Sequence, residues 1–326
     1  MKAKSILVVV DPTGGKEQFC VEKGAKLAEI FDAKLELLIC FYDQHLSGER
    51  FFDSKGLRLS REDAIKNRSI FLENLAVPLR NHGLEVKTTA LWDTPLDDAI
   101  VRYAVESEAD LVVKDTHYHG ALSRALFTNT DWGLIRNCPV PLLLSKPTAW
   151  AENPAVIAAV DPLHTHDKPA ELDAKILGAA DAITSKISGD LHVFHSYPLL
   201  AHRLAVNPEL LGDSLNEIDK SMEKEHQQAL DDLLRQNAIS KSTNHLLSGD
   251  PSRVLPDVAD GLSASMVVMG AVSRKPVQRV FLGSTAERVM DRLSCDLLVI
   301  KPNWFKVKVD FRDVDLIQTK SESAAA

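Results

Sequence analysis

Residues 6–12 read ILVVVDP, and residues 156–162 read VIAAVDP. Each stretch is a short, continuous apolar run that ends in Asp-Pro. Such runs are typical of strands that are covered on both faces in a parallel sheet. Because the pattern recurs 150 residues further along the chain, it indicates that one fold occurs twice.

A second landmark recurs at nearly the same spacing. Residues 111–146 align without a gap on residues 266–301, 155 positions later. Only seven positions in this window are identical, among them Lys146 and Lys301, but the apolar pattern agrees throughout. The repeat spacings of the two landmarks, 150 and 155 residues, differ by only five. Such agreement is difficult to obtain by chance, so we interpret the chain as a tandem repeat.

In both halves, apolar runs alternate with segments of helical period. Cys20, Gly24, Leu27 and Phe31 are spaced by three and four residues, as one buried face of a helix requires. Connections between a strand, a helix and a parallel strand are right-handed almost without exception. We therefore predict an α/β fold class with two tandem doubly wound parallel sheets of the Rossmann type.

Composition changes suggest the domain limits. We predict a first domain over residues 1–148, a second over 149–304 and a polar C-terminal tail over 305–326. In the tail, Val307, Val309 and Phe311 alternate with charged residues, which predicts an edge strand, and residues 320–326 are expected to be disordered.

Helix starts and loops follow from shorter patterns. Ser60-x-x-Asp63 and Ser214-x-x-Glu217 have the spacing of capping boxes, and they predict where the second helix of each half begins. The mixed segments 43–59 and 196–213 are interpreted as loops beside the sheets.

Composition and charge exclude several classes of protein. With 38 basic and 46 acidic residues, the chain has a net charge of −8 and repels nucleic acid and anionic membranes. No apolar stretch approaches the roughly 18 to 20 residues of a membrane span. The four cysteines have no CxxC spacing, and the N-terminal apolar run stops too early for a signal peptide. These features predict reduced thiols and a cytoplasmic protein.

Ligands of open α/β sheets bind beyond the carboxyl ends of the strands. In the second half, Asp161 follows the first strand, Gly270 ends the fourth, and Gly283-Ser284 opens a helix. Glycine lets a backbone approach a phosphate, and a helix N-terminus offers free N–H groups to an anion. Two structural alternatives stay open: Ser284-x-x-Glu287 is itself a capping box, and Gly270 could only form a strand-end turn.

The pattern Gly270-x2-Ser273-x9-Gly283-Ser284 resembles the nucleotide signature of the universal stress protein family, with a serine in place of the second glycine. The resemblance covers roughly residues 3–302, and the tandem arrangement is similar to the E-type members of bacteria. It implies an adenine nucleotide alpha hydrolase-like fold. It also implies stress resistance against starvation, oxidants and DNA damage, by sensing or signalling.

The same resemblance implies a ligand and its contacts. ATP or a related adenine nucleotide is expected in the second domain, and whether Mg²⁺ accompanies it is left open. The residues implied in nucleotide binding are Asp161 at the adenosine, Met269 and Gly270 at base and ribose, Ser273 and Gly283 near the phosphates, and Ser284 and Thr285 on them. Family members pair through their last strand, which implies pairing of the two domains and leaves a homodimer possible.

The first half departs from this signature. Asp115 replaces Gly270, Tyr118 replaces Ser273, and Thr128-Asn129 replaces Gly283-Ser284. A carboxylate repels phosphate and side chains occupy the space of the glycines, so we predict no triphosphate there. Thr128-x-x-Asp131 retains the spacing of a helix cap. The first domain is expected to be structural or regulatory, and a different ligand in it stays an open alternative.

No constellation in the sequence predicts catalysis or a metal site. The pairs His117/His119 and His164/His166 lack the spaced partners of a zinc pattern. We therefore predict a binding protein without catalytic or metal-ligating residues, although slow ATP hydrolysis is not excluded. The alternatives are a weak ATPase or nucleotide-hydrolysing enzyme of the same superfamily and a dimeric scaffold that binds no nucleotide.

Overall fold

The structure of the 326-residue chain is a computed structural model that describes residues 2–13, 18–46, 55–118, 125–163, 170–198, 212–271, 284–307, 309 and 318–320. The chain divides into two compact units. Of the described residues, the first unit contains those within 2–118 and 126–147 together with 306, 307, 309 and 318–320, and the second contains residue 125 and those within 148–305.

The first unit is built on a sheet with the strand order β7-β4-β1-β2-β3-β13. Its strands pair in parallel, except that β13 pairs antiparallel with β3. The strands are β1 (Ser5–Val9), β2 (Lys34–Phe41), β3 (Val86–Trp92), β4 (Leu111–Asp115), β7 (Leu142–Ser145) and β13 (Gln318–Lys320); the short strands β5 (His117–Tyr118) and β6 (Ala125–Leu126) precede β7. The helices are α1 (Phe19–Phe31), α2 (Lys55–Asn81), α3 (Leu96–Glu106) and α4 (Asn129–Asn137), with a 3₁₀ turn at Gln44–Leu46.

The second unit repeats this architecture with an all-parallel sheet of order β10-β9-β8-β11-β12. The strands are β8 (Ala155–Ala159), β9 (Asp190–Tyr197), β10 (Thr243–Ser248), β11 (Met266–Gly270) and β12 (Asp296–Ile300). The described helices are α5 (Ala170–Ile187), α6 (Gly212–Gln236), α7 (Pro251–Gly261) and α8 (Ser284–Met290).

The apolar runs of the sequence became the buried strands, because only side chains of this kind fit between two helical layers. Ile6, Leu7 and Val8 of β1 are fully buried, as are Val156 and Ile157 of β8. In each unit the first strand lies between the second and the fourth, so the chain crosses to opposite sides of it. This is the switch point of a doubly wound fold, and it places the ends of β8 and β11 side by side.

Both predicted capping boxes are wrong. Ser60 lies inside α2, which begins at Lys55, and Ser214 lies inside α6, which begins at Gly212. A Ser-x-x-acid spacing also occurs on the exposed face of a helix, where side chains three residues apart are neighbours. The predicted loops are consequently too long: residues 55–59 and 212–213 are helical, and β9 extends to Tyr197.

The tail also differs from its prediction. Val307 and Val309 are not in a strand, and Phe311 lies outside the described residues. The strand of the tail is instead β13, which adds to the edge of β3 through Gln318, Thr319 and Lys320. Lys320 therefore belongs to a sheet rather than to a disordered end, while residues 321–326 lie outside the described part of the chain.

Two further observations concern the chain as a whole. None of the four cysteines, all of which the structure describes, forms a disulfide, and Cys20, Cys138 and Cys295 are buried. Among the described helices, none combines the length and the apolar character that crossing a bilayer requires.

Candidate functional site

Asp161 lies just beyond the end of β8, at the switch point of the second unit. Its backbone N–H donates to Oδ1 of the buried Asp173 on α5, over 3.2 Å. Its carboxylate Oδ1 is 3.9 Å from Nδ1 of His195 on β9. Asp161 itself is half-buried, so α5 and β9 hold a carboxylate that still reaches the surface at the predicted ligand position.

Met269 and Gly270 end β11 beside Asp161. Met269 is buried, so its side chain offers little surface to a ligand. A Cβ atom on Gly270 would approach Cδ2 of Leu172 on α5 to 2.7 Å. Close packing of α5 is therefore one reason for this glycine, and the approach of a ligand to its backbone stays a prediction.

Two lysines that the sequence analysis did not single out lie at this end of the sheet. Lys301, which follows β12, is 2 % exposed, and its Nζ donates to the carbonyl oxygen of Ala271 over 2.5 Å. The same Nζ lies 4.8 Å from the centroid of the Phe305 ring. Lys175 of α5 donates from Nζ to the carbonyl oxygen of Lys301 over 3.1 Å. In this lysine pair, Lys175 and Lys301, the ammonium group of Lys301 lies at the residue that follows Gly270, and that of Lys175 lies at the backbone of Lys301.

One signal in the sequence pointed to this lysine pair. Lys301 aligns with Lys146 at the same 155-residue spacing, and Lys175 occupies on α5 the place of Lys23 on α1. In the first unit, Nζ of Lys23 donates to the carbonyl oxygen of Lys146 over 2.8 Å. The identity of Lys146 and Lys301 thus reflects one arrangement that both units retain.

The remaining predicted site residues are described only in part. Ser284 and Thr285 form the first turn of α8, as predicted, but their side chains lie outside the description. Ser273 and Gly283 are not among the described residues. Whether these four residues meet a phosphate therefore stays a prediction.

Helix α7 is fixed close to α8. Asp250 is the N-cap of α7, and its Oδ1 accepts from the backbone N–H of Ser252 over 2.9 Å. This hydrogen bond holds the pKa of Asp250 below its ordinary value, although partial burial acts in the opposite direction. Arg288 of α8 lies 3.5 Å from Oδ2 of Asp250, so the cap also forms an ion pair with the neighbouring helix.

In the first unit, a buried ion pair lies between the end of β4 and the start of α4. Nζ of Lys114, at the end of β4, is 2.8 Å from Oδ1 of Asp131 on α4, and the Asp131 side chain is fully buried. Nζ of Lys114 also donates to the carbonyl oxygen of Asp115 over 2.9 Å. At the positions 155 residues later, the second unit has Met269 and Ala286, which carry no charge.

The cap of α4 uses the same carboxylate. Thr128 and Asp131 form a complete capping box: Thr128 Oγ1 accepts from the N–H of Asp131 over 3.1 Å, and Asp131 Oδ2 accepts from the N–H of Thr128 over 2.7 Å. The helix cap predicted at Thr128-x-x-Asp131 is thus confirmed. Because Asp131 both caps α4 and pairs with Lys114, the helix start that could face an anion in the first unit already holds a carboxylate.

No metal site is found in the part of the chain that the structure describes, where no three His, Cys, Asp or Glu side chains form a group able to hold a metal ion. The pairs His117/His119 and His164/His166, which the sequence did not predict to bind a metal, are not tested. His119, His164 and His166 lie outside the described residues, and His117 is described only as part of β5.

Comparison with known proteins supports the sequence resemblance. The model of the Universal stress protein family matches residues 2–146 and 166–301. Universal stress protein E of Escherichia coli (strain K12) is 28 % identical over 312 residues, which cover 95 % of this chain and 98 % of that protein.

Two solved structures have the same fold over most of the chain. A functionally unknown protein of Pseudomonas aeruginosa PAO1 has a TM-score of 0.71 and 26 % identity, and the match covers 92 % of this chain and 93 % of that one. A universal stress protein of Archaeoglobus fulgidus has a TM-score of 0.62 and 15 % identity, with 92 % and 99 % covered. At this identity, the second match supports the fold alone.

Proposed function

This chain belongs to the universal stress protein family, and from that premise we propose that its second unit binds ATP or a related adenine nucleotide while its first unit does not. One observation carries the proposal. The Lys114–Asp131 ion pair joins the end of β4 to the first turn of α4 in the first unit, whereas the second unit has uncharged Met269 and Ala286 at those positions.

The charges of the second unit suit an anionic ligand. Nζ of Lys301 donates to the carbonyl oxygen of Ala271, next to Gly270 at the end of β11, and Nζ of Lys175 donates to the carbonyl oxygen of Lys301. Phosphate groups are stabilised by ammonium groups that are partly removed from water, because the effective dielectric constant there is lower. In the proposed site, the start of α8 at Ser284 supplies backbone N–H groups to the phosphates.

We assign Asp161 to the nucleoside. A carboxylate beside a triphosphate would oppose binding, but a carboxylate accepts hydrogen bonds from ribose hydroxyls well. The proposed site is completed by Met269, Gly270, Ser273, Gly283, Ser284 and Thr285. Whether Mg²⁺ binds with the nucleotide is left to the binding measurement, which is made with and without the ion.

The proposed role is a reversible nucleotide sensor in stress resistance. Occupancy of the second unit would report on adenine nucleotides, while the first unit supplies a ligand-free partner domain. The free thiols fit a reducing compartment, and we include the cytoplasm in the proposal.

Isothermal titration calorimetry with a matched pair of variants tests this function. Lys301→Met removes an ammonium group from the proposed site, and Lys146→Met makes the same change in the first unit. We expect Lys301→Met to weaken ATP binding at least about tenfold, because a charge-assisted contact contributes about 1.5–3 kcal/mol. The affinity for adenosine should change much less.

Lys146→Met controls for the loss of a buried lysine and should bind ATP as the unchanged protein does. Circular dichroism and thermal unfolding establish that both variants fold. Equal weakening by the two substitutions, or no ATP binding by the unchanged protein, would overturn the proposal. Phosphate release measured on the same samples separates a sensor from a nucleotide-hydrolysing enzyme.

A further inference from the structure

Two buried histidines connect Asp161 to helix α6. His195 of β9 is 1 % exposed and His226 of α6 is 7 % exposed. Nε2 of His195 and Nδ1 of His226 are 2.7 Å apart, and the two rings are stacked with centroids 5.0 Å apart. Because Nδ1 of His195 lies 3.9 Å from the Asp161 carboxylate, the two histidines lead from the helix to the proposed nucleotide site.

The hydrogen bonds determine where the protons lie when both rings are neutral. Nδ1 of His195 is 3.1 Å from the carbonyl oxygen of Val160, and a carbonyl can only accept, so this nitrogen carries the proton. Nε2 of His195 must then accept from Nδ1–H of His226. In the neutral pair, Nε2 of His226 is therefore the ring nitrogen that lacks a proton.

One added proton gives the pair a positive charge that moves between the rings. Protonation at Nε2 of His226 makes that ring an imidazolium. Transfer of the Nδ1 proton across the 2.7 Å hydrogen bond then places the charge on His195, beside Asp161. Only a proton moves, and both rings keep their positions.

Ionisable groups lie near both histidines of the pair. Asp161 and the buried Asp173 lie on the side of His195. On the other side, Tyr197 stacks on His226 with centroids 5.1 Å apart. Burial raises the pKa of Tyr197, and so do the nearby carboxylates of Glu223 and Asp219 on α6. The face of β10 toward α6 contributes Asn244, Leu246 and Ser248, which do not titrate.

We propose that His195 and His226 act as a proton-accepting pair that controls the charge beside Asp161 and so couples nucleotide binding in the second unit to pH. This inference rests on the proposed function of that unit. A positive pair offsets the negative charge of Asp161, which otherwise repels an anionic nucleotide. Binding of the nucleotide should therefore take up a proton, and its affinity should rise as the pH falls.

The test compares His226→Asn with His192→Asn. Asparagine at position 226 retains a donor toward Nε2 of His195 but cannot accept the proton. His192 and His245 form a second stacked pair on the same two-strand edge, with Nδ1 and Nε2 2.9 Å apart. These residues point to the opposite face of the sheet from His195, so His192→Asn is a matched control.

ATP affinity is measured by calorimetry from pH 8 to pH 6, in buffers of different ionisation enthalpy. The unchanged protein should bind ATP more tightly at pH 6 than at pH 8, since one linked proton can contribute up to tenfold in affinity per pH unit. We expect this rise in affinity to be at least about threefold smaller in His226→Asn. His192→Asn should behave as the unchanged protein. Titration of the ATP phosphates is common to all samples and cancels in the comparison.

The outcomes separate the two proposals. If the unchanged protein binds no ATP at any pH, the proposed function fails. If ATP binds but His226→Asn shows the same pH dependence and proton uptake as the unchanged protein, the histidine proposal is overturned. Thermal unfolding checks that His226→Asn folds, and His195→Asn, which retains a donor toward Val160, is the second variant. Nitrogen chemical shifts of the free protein provide a ligand-independent readout, in which the pair must protonate as one coupled unit.

Discussion

Lys114 and Asp131 form a buried ion pair in the first unit, with 2.8 Å between Nζ and Oδ1 and no exposure of the Asp131 side chain. Charged groups are seldom buried at this depth unless they are paired. Asp131 also completes the capping box of α4. At the switch point of the first unit, the Asp131 carboxylate thus neutralises the buried ammonium group of Lys114. The second unit has uncharged side chains at the two aligned positions.

We expect Asp131→Ala to destabilise the first unit by about 3–5 kcal/mol, because Lys114 would remain buried without its counter-charge and α4 would lose its cap. The double change Lys114→Met with Asp131→Ala reproduces the residues of the second unit and should recover a large part of this loss. Chemical denaturation measures both. A double variant that is less stable than Asp131→Ala would contradict the explanation.

Gly270→Ala should destabilise the second unit by about 1–3 kcal/mol through overpacking against Leu172. A shorter side chain at position 172 should relieve the strain, so Gly270→Ala combined with Leu172→Ala should show non-additive stability in denaturant unfolding. Gly178→Ala in α5 is the matched control, since its Cβ would meet no atom within 4 Å and alanine favours a helix. Equal destabilisation by both single changes would refute the packing argument.

Asp250 gives a pH dependence of known sign. Its folded-state pKa is lowered, so its contribution is present above the unfolded value near 3.8 and is lost as the pH falls through the folded-state value. At pH 7, Asp250→Ala should cost about 1 kcal/mol as a lost N-cap, whereas Asp250→Asn should cost less because asparagine also caps. In urea unfolding, the difference between the unchanged protein and Asp250→Asn should shrink below pH 4. A difference that stays constant from pH 7 to pH 3 would count against this assignment.

The thiols should be slow to react in the folded protein. Burial, with a further contribution from nearby Asp115, raises the pKa of Cys20 well above its ordinary value, and burial beside Asp93 raises that of Cys40. Because the thiolate is the reactive form, we expect little labelling of either cysteine by a thiol reagent at pH 8 and complete labelling in denaturant. Mass spectrometry of labelled peptides measures this. Rapid labelling of Cys20 under native conditions would show that its surroundings open.

The sequence predicted the strands well, because strands covered on both faces need apolar runs such as Ile6–Val10 that few other structures tolerate. It also predicted the cap at Thr128, where the box is followed directly by a short amphipathic helix. The predicted starts of α2 and α6 were wrong, because the spacing of a capping box is also common within exposed helices.

Other parts of the site depend on contacts between distant residues. His195 and His226 are separated by 31 positions and meet only after α6 folds back over β9. The repeat marks Lys301 as identical to Lys146, but its burial and its hydrogen bond to Ala271 depend on the folded chain. The pairing of β13 with β3 has no counterpart in the second half of the chain, so the sequence repeat could not predict it.

The number and position of nucleotides on each chain test the asymmetry of the two units most directly. We expect equilibrium dialysis with labelled ATP to give one nucleotide per chain. Gly283→Glu should abolish this binding, while Asn129→Glu, at the first-unit position that aligns with Ser284, should leave it unchanged. Two nucleotides per chain, or one that Asn129→Glu removes and Gly283→Glu does not, would contradict the assignment.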